Sequence, residues 1–409
     1  MRILILSQWF DPEPTFKGMI FAKALAARGH EVEVLTGFPN YPEGRLYPGY
    51  KMRPFQREDL DGISVIRVML YPSHDNSVVR RILNYISFAI SASLFGPLLA
   101  KRADVVYVYY SPATVALPAA VLKILRGMPI VYDIQDLWPD TLAATGMVRS
   151  RPILWLTGLM CRITYALAAK IIVLSPGFKR RLKERRVPES KIEVIYNWCD
   201  EQNIREVPRD KALAKQLGMD DCFNVVFAGT MGAVQALDVV LDAAMLLSDR
   251  NPDVQFVFVG GGIEVARLSK SARERRLQNV KFLPRRSFSE ISSILALADA
   301  LLVHIKDDPL FEITVPSKIQ AYLAAGRPII AALRGDGAEL VQRANAGLGC
   351  DPCVPEKLAE VVLSLAHKSV EEREKMGQRG KQFYKENLAL SIGVSHFEAL
   401  FRSVAKTHI

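Results

Sequence analysis

The sequence predicts an α/β protein of two successive Rossmann-like domains facing a cleft. Three observations predict it. The chain of 409 residues is too long for one ordinary core. Short apolar runs alternate with stretches whose apolar residues recur at helical spacing, the signature of repeated βα units and a parallel sheet. That alternation halts over residues 200–222, which are polar and poor in large apolar side chains, and restarts at Asn224. The expected organisation is therefore a first domain over 1–200, a second over 201–385, and a C-terminal helix over 386–409 packing back on the first.

In order, residues 3–7 form a strand, residues 18–28 an amphipathic helix closed by Gly29, and residues 31–36 the next strand. Further strands are expected at 63–69, 104–110, 129–134 and 170–174, with helices at 80–101, 113–126, 152–168 and 176–186. The second half runs through a strand ending at Gly229, a helix over 235–248 and a strand ending at Gly260–Gly262. Then follow a basic helix at 263–275, the short strand VKFL, a helix at 288–298, the strand ALLVHI, a helix at 317–325 and the strand PIIAAL, with helices to the end.

Composition narrows the partners. Half the residues are apolar and 23% charged, as in a globular protein. Residues 1–200 hold 26 Lys and Arg against 17 Asp and Glu, and the remainder 27 against 26, so nearly all of the net +10 belongs to the first domain. Such one-sided basicity suggests an anionic partner: nucleic acid, a membrane surface or a phosphorylated substrate. Residues 82–100 are uncharged and bracketed by Arg80, Arg81, Lys101 and Arg102. Gly96 and Pro97 within them argue against a span, and they read as a helix at a membrane interface or as a buried helix hairpin. Five cysteines form no disulfide framework, and the single C-x-x-C at Cys350 and Cys353 lacks the second pair of a zinc site. No secretory leader is read at the start, where residues 1–6 lead straight into a loop.

Ligands of open parallel sheets bind beyond the carboxyl ends of strands. After the first strand, Lys17 and Gly18 open a helix, where free amides attract phosphate. After the 129–134 strand, D-I-Q-D-L-W-P places Asp133 and Asp136. In the second domain, G-T-M-G-A-V-Q carries Gly229, Thr230, Gly232 and Gln235, a turn able to bring backbone amides near a phosphate. Val315, Pro316, Ser317 and Lys318 open another helix. Neither a Walker lysine motif nor a full G-x-G-x-x-G after the first strand is present, which counts against nucleotide hydrolysis and ordinary NAD binding. Asp59 and Asp61 form a D-x-D placed before a strand, the wrong position for a metal site.

Taken together these residues resemble the retaining glycosyltransferases of family 4, which have the GT-B fold. The stretch W-F-D-P-E-P through A-K-A-L-A-A-R-G-H-E-V-E-V-L-T-G-F-P-N-Y-P-E-G is the most specific part. It is similar to the O-antigen and capsule subgroup that includes the N-acetyl-L-fucosamine transferases. I-Y-N-W at 195–198, A-G-T-M-G-A-V-Q and P-S-K-I-Q-A-Y-L-A-A-G-R-P-I-I agree in order and spacing. The resemblance implies an acceptor on the first domain and a nucleotide-sugar donor, UDP-linked, on the second. It gives Asp136 the place of a catalytic histidine, makes the amides at 315–318 the holders of the donor phosphates with Lys318 also catalytic, counts Gly260 among the donor-binding residues, and puts backbone near Pro284 and Arg285 beside the base. It implies no metal or other cofactor, a polyprenyl-diphosphate-linked glycan acceptor, the inner face of the cytoplasmic membrane, and no nucleic-acid partner.

The chain departs from the family's pattern at informative places. Thr230 and Gln235 stand where the family has Arg and Lys, and Ile313 and Ala321 where it has two glutamates. Lys17 and Lys318 are then the cations left for a diphosphate, and Glu312 with Gln320, shifted by one residue, is the replacement pair for the ribose. Two other functions share this frame: a sugar-nucleotide 2-epimerase, and a non-catalytic sugar-nucleotide-binding partner.

Overall fold

The computed structural model describes all residues except 75–76, 145–147, 149, 249–250, 252 and 408–409. The chain divides into two compact units, one of Met1–Leu174, Phe178–Ile195 and Val394–Ile409, the other of Ser175–Gly177 and Tyr196–Gly393.

The first unit is built on eight strands: β1 (Arg2–Leu6), β2 (Glu31–Gly37), β3 (Phe55–Leu60), β4 (Ile63–Val68), β5 (Val105–Tyr110), β6 (Ile130–Ile134), β7 (Lys170–Val173) and β8 (Ile192–Val194). Their order is β3-β4-β2-β1-β5-β6-β7-β8. Central β1 is buried on both faces, which is why it reads as a continuous apolar run. All neighbours are parallel except β3 and β4, and the sequence reading missed this antiparallel edge. Its cue was Asp61–Gly62, both with positive φ (53° and 85°), the dipeptide of a tight hairpin. The D-x-D belongs to that turn: an Asp59 carboxylate oxygen accepts from the Gly62 amide at 2.8 Å.

Helices of this unit are α1 (Met19–Ala26), α2 (Val78–Leu99), α3 (Ala116–Arg126), α4 (Asp140–Ala144), α5 (Arg151–Leu167) and α6 (Pro176–Glu184). The uncharged stretch is one continuous helix, not a hairpin. Its inner face buries Asn84, Phe88 and Ala92, while Ile90, Leu94 and Leu98 on the outer face are exposed. By length and composition alone Val79–Leu99 is long enough to cross a bilayer.

The second unit carries β9 (Phe223–Ala228), β10 (Val254–Val259), β11 (Val280–Leu283), β12 (Ala300–His304), β13 (Ile329–Ala332) and β14 (Gly347–Cys350) in the order β11-β10-β9-β12-β13-β14, all parallel. Its helices are α7 (Lys211–Leu217), α8 (Asp238–Ser248), α9 (Val265–Glu274), α10 (Phe288–Ala296), α11 (Pro309–Glu312), α12 (Ser317–Ala325), α13 (Asp336–Arg343), α14 (Pro355–Ala366) and α15 (Val370–Asn387). Alternate strand residues feed two core layers, Val226 and Val257 to one and Val225, Phe256 and Phe258 to the other. The expected linker holds α7, capped by the Asp210 carboxylate at the Ala212 and Leu213 amides and ended by left-handed Gly218. Its outward charges hid it, although Ala214 and Met219 join the core.

A last helix, α16 (Leu390–Thr407), supplies the C-terminal part of the first unit. Phe397 is fully buried, its ring 5.0 Å from that of Phe21 and 5.6 Å from that of Tyr107. Glu398 pairs with Arg28 at 3.0 Å and lies 3.2 Å from a His30 ring nitrogen. Residues 408–409 of the predicted 386–409 helix lie outside the described residues. Phe397→Ala is expected to cost the first unit about 3–5 kcal/mol through the cavity it leaves. Urea unfolding followed by circular dichroism measures it, and an unshifted midpoint would show that α16 does not brace this unit.

Candidate functional site

In the second unit the strand order reverses between β9 and β12, so their carboxyl ends flank the switch point where ligands of such sheets settle. Glycine shapes this edge. Gly229, Gly260 and Gly262 have φ of 136°, 141° and 140°, a region that side chains rarely adopt. A Cβ on Gly260 would stand 2.2 Å from the Gly229 carbonyl oxygen, and one on Gly262 2.1 Å from that of Met231. The two loops interlock through Gly229 N–H donating to the Val259 carbonyl and Met231 N–H to that of Gly261, both at 2.8 Å. The result is a backbone-lined rim with no side chains in the way of a close ligand.

Lys318 reaches this rim from the first turn of α12. Its ammonium lies 4.2 Å from the centre of the Phe227 ring, and a Cβ on Gly229 would touch it at 3.0 Å. Among the described residues it has no carboxylate partner. Burial pushes its pKa down to about 8. The α12 N-terminus follows Pro316 and has no side-chain cap, so its amides and the Lys318 charge address one place. Ser317 is exposed there, while Val315 is buried and supplies backbone only.

The turn after β9 is held from both sides. The Gln235 side chain accepts from the Gly232 amide at 3.0 Å, and its backbone carbonyl lies 2.7 Å from His304 Nδ1. The Lys306 amide donates to the Val234 carbonyl at 2.9 Å. Gln235 therefore shapes the loop and does not replace the missing cation, whereas Thr230 is exposed on the rim. His304, at the end of β12, was missed by the sequence reading, which had no signal for a structural partner of that loop. Pro284 and Arg285 are exposed just past β11, about 10 Å along the same edge from β9, at two strand spacings. Gln320 does not grip a ribose: it is buried, and its amide nitrogen meets the Pro316 and Ser317 carbonyls of its own helix.

In the first unit the sequence reading of Lys17 and Gly18 is corrected. Lys17 is buried and ion-paired with Asp133. Tyr107 donates to the same carboxylate oxygen at 2.6 Å and Gln135 to the other at 2.7 Å. Burial lowers the Lys17 pKa and Asp133 opposes that shift. This charge is committed to the core and is not placed to meet a phosphate. The start of α1 is equally taken: the Asp11 carboxylate accepts from the Met19 amide at 2.7 Å, and a Cβ on Gly18 would stand 2.1 Å from it. An anion already occupies that helix end.

Asp136 behaves otherwise. It follows β6, half-buried, and burial raises its pKa. Ser111 Oγ at 3.5 Å is its carboxylate's hydrogen-bond partner among the described residues, and α4 begins only at Asp140. The carboxylate therefore caps no helix. Past the carboxyl ends of β1 and β2 in the same sheet lies a ring cluster that sequence reasoning did not assemble: Trp9, Tyr41, His74 and Tyr85, from four separate segments. Trp9 and Tyr41 stood inside the conspicuous W-F-D-P-E-P and F-P-N-Y-P-E-G stretches, but only folding brings them together. Among the described residues no three His, Cys, Asp or Glu side chains group as metal ligands.

Comparison with known proteins agrees with this layout. Residues 20–198 match the glycosyl transferase 4-like domain and residues 209–383 the glycosyl transferases group 1 domain. WcaI of Escherichia coli, a glycosyl transferase named for colanic acid biosynthesis, is 29% identical over 80% of this chain and 82% of its own. The N-acetyl-alpha-D-glucosaminyl L-malate synthase of Bacillus anthracis is 22% identical over 95% and 93%. Anabaena HepE, solved with UDP, superposes with a TM-score of 0.71 at 16% identity over 98% of this chain and all of that one.

A pH dependence follows from Lys318. Affinity for an anionic ligand at this rim is expected to fall as pH rises through about 8, where the free ammonium loses its proton. With UDP as the probe, Lys318→Ala should weaken such binding by roughly 10- to 100-fold, the worth of a charge-assisted hydrogen bond. Titration calorimetry from pH 6.5 to 9.5 reads both, and a pH-independent affinity would place the diphosphate elsewhere.

Proposed function

We infer that this chain, a glycosyltransferase of the GT-B fold with a 4-like domain followed by a group 1 domain, moves a sugar from UDP to a lipid-linked glycan at a membrane surface with retention of configuration. The observation that carries the donor half is the Lys318 ammonium, without an acidic partner among the described residues, against a glycine-built rim at the switch point. UDP is named in the solved relative. A surface polysaccharide such as O-antigen or capsule fits the name of WcaI, and an N-acetylated deoxyhexosamine is the sugar the sequence resemblance favours.

The reaction needs a stabilised leaving group. The bond from the anomeric carbon to the diphosphate breaks while the acceptor oxygen bonds on the same face, its proton passing to a donor phosphate oxygen. Lys318 and the α12 amides hold the departing charge in place of a metal. Asp136, ionised, stabilises the positive charge developing on the sugar ring. Each group must keep its charge, so kcat/KM should be bell-shaped in pH, with an acid limb above the ordinary aspartate range and an alkaline limb near 8. Asp136→Asn should lower kcat far more than donor affinity and erase the acid limb. Turnover should persist in EDTA. Normal turnover in Asp136→Asn removes the carboxylate from the reaction, and conversion of the nucleotide sugar alone to an epimer overturns transfer itself.

The membrane half rests on a surface. α2 packs against α3, which exposes Ile124 and Leu125, and α3 touches α5, which exposes Trp155. Such exposed apolar groups, with Arg80, Arg81, Lys101 and Arg102, suit an anionic bilayer, at roughly 1 kcal/mol per basic residue plus an apolar term that salt does not remove. The placement proposed is peripheral, on the inner face of the cytoplasmic membrane. The protein should float with phosphatidylglycerol vesicles and be only partly released by salt. Leu94→Ser with Leu98→Ser should become fully salt-extractable with an unchanged melt, since these side chains are 62% and 80% exposed. A parent that stays at the bottom of the gradient sinks the reading.

A further inference from the structure

The ring cluster of the first unit is a built platform. The Trp9 and Tyr41 rings lie 5.2 Å apart, Tyr85 meets Trp9 edge-on at 6.2 Å, and His74 meets Tyr41 edge-on at 4.5 Å. All four remain partly open to solvent. One carboxylate fixes the loops that bear the first two: Glu13 accepts from the Asn40 and Tyr41 amides at 2.8 Å and from the Phe10 amide at 3.1 Å. Beneath, buried Asn84 of α2 accepts from the Gln8 amide at 2.6 Å and donates to Asn40 at 3.2 Å and to the Tyr71 carbonyl at 2.7 Å. Rings left partly wet yet held from two sides are preorganised for something flat and partly apolar.

A cation stands beside them. Arg81 lies one turn before Tyr85 on α2, and its charge acts on both His74 and Tyr85. Among the described residues its guanidinium has no carboxylate partner. Trp9 and Tyr41 follow the parallel strands β1 and β2, and Asp136 follows β6 two strands beyond β1, so the platform and the proposed catalytic carboxylate share the carboxyl edge of one sheet. Past Arg81 the outer face of α2 turns apolar at Ile82, Leu83 and Ile86.

We propose that the Trp9, Tyr41 and Tyr85 rings with the Arg81 guanidinium form the acceptor subsite, stacking a pyranose whose anomeric phosphoryl group Arg81 binds. Aromatic faces suit the C–H face of a sugar ring, and a guanidinium takes a phosphoryl group through two parallel hydrogen bonds. The inference rests on the reading that the first unit holds the acceptor. A sugar 1-phosphate and a prenyl-diphosphate-linked sugar present the same chemistry.

The test is titration calorimetry on the full chain. The probes are a panel of hexose and N-acetylhexosamine 1-phosphates and their farnesyl-diphosphate-linked counterparts, with UDP as control. At least one probe should bind the parent, more weakly at high salt. Arg81→Gln should weaken that probe at least tenfold, Tyr85→Leu should weaken it without changing the melt, and neither should change UDP affinity. Trp9→Ala should do the same, and Trp9→Phe should restore binding if the alanine variant melts early. A tighter farnesyl arm supports a lipid-linked source, and equal arms support a soluble one. No binding by any probe, or Arg81→Gln binding like the parent, overturns the subsite. Loss of UDP binding by the parent would instead strike at the donor reading.

Discussion

An ammonium group can leave water only if another charge or dipole takes the place of its hydration, and two lysines meet that constraint in opposite ways. Lys17 satisfies it inside the protein. Asp133 takes its charge, Tyr107 and Gln135 complete the carboxylate's hydrogen bonds, and the Phe397 ring lies 4.7 Å from the amine. That arrangement ties the end of the loop after β1, the middle of the sheet and α16 into one core. Lys318 satisfies it only partly, against a ring face. A pKa lowered from 10.5 to about 8 corresponds to roughly 3 kcal/mol held against its protonated form. An anionic ligand arriving there would return much of that.

Sequence reading could not separate these two lysines. Both sit at the opening of a helix after a strand, and one-dimensional pattern carries no information about a carboxylate more than a hundred residues away. Only the pairing of β1 with β5 and β5 with β6 brings Asp133 over Lys17. The parallel sheets were legible because buried strands must be apolar along their whole length. The glycine rim was legible because Gly229 and Gly260 end such strands. The edge strand β3 and α7 were not, because each is mostly solvated and β3 is a run of polar and charged residues, FQREDL, with little apolar pattern to read. The ring cluster was hidden for the reason that hid the ion pair: its members come from the ends of β1 and β2, from the segment before α2 and from α2 itself.

The helix α2 reconciles demands that a sequence plot shows as one apolar block. Asn84 and Phe88 face inward, where the asparagine is bound on both its oxygen and its nitrogen. Ser91 donates to the Met69 carbonyl, and Ser93 to that of Ala89 in its own helix, so the small polar residues in the block are satisfied internally and need no water. Past Arg80 and Arg81 the exposed side chains of this helix are all apolar: Ile82, Leu83, Ile86, Ile90, Leu94 and Leu98. A helix evolved solely for the core would carry charges there. A helix evolved to span a bilayer would have no use for the buried Asn84 chain to Gln8 and Asn40.

That the glycine turn after β9 carries Thr230 and Gln235 and no long cation has a physical consequence beyond a smaller charge. With Gln235 closing on Gly232, and His304 and Lys306 latching the same turn by its carbonyls, the loop after β9 offers shape and backbone amides but no mobile cation. Long cationic side chains would have to be ordered by each incoming diphosphate, at a cost of up to about 2 kcal/mol of rotamer entropy apiece. Here one lysine already packed on Phe227, an uncapped helix start and a rim closed by Gly260 and Gly262 are ordered before any ligand arrives. Fewer charges held still can stabilise a leaving group as well as more charges that must be gathered, because electrostatic stabilisation depends on dipoles that need not reorganise as the bond breaks.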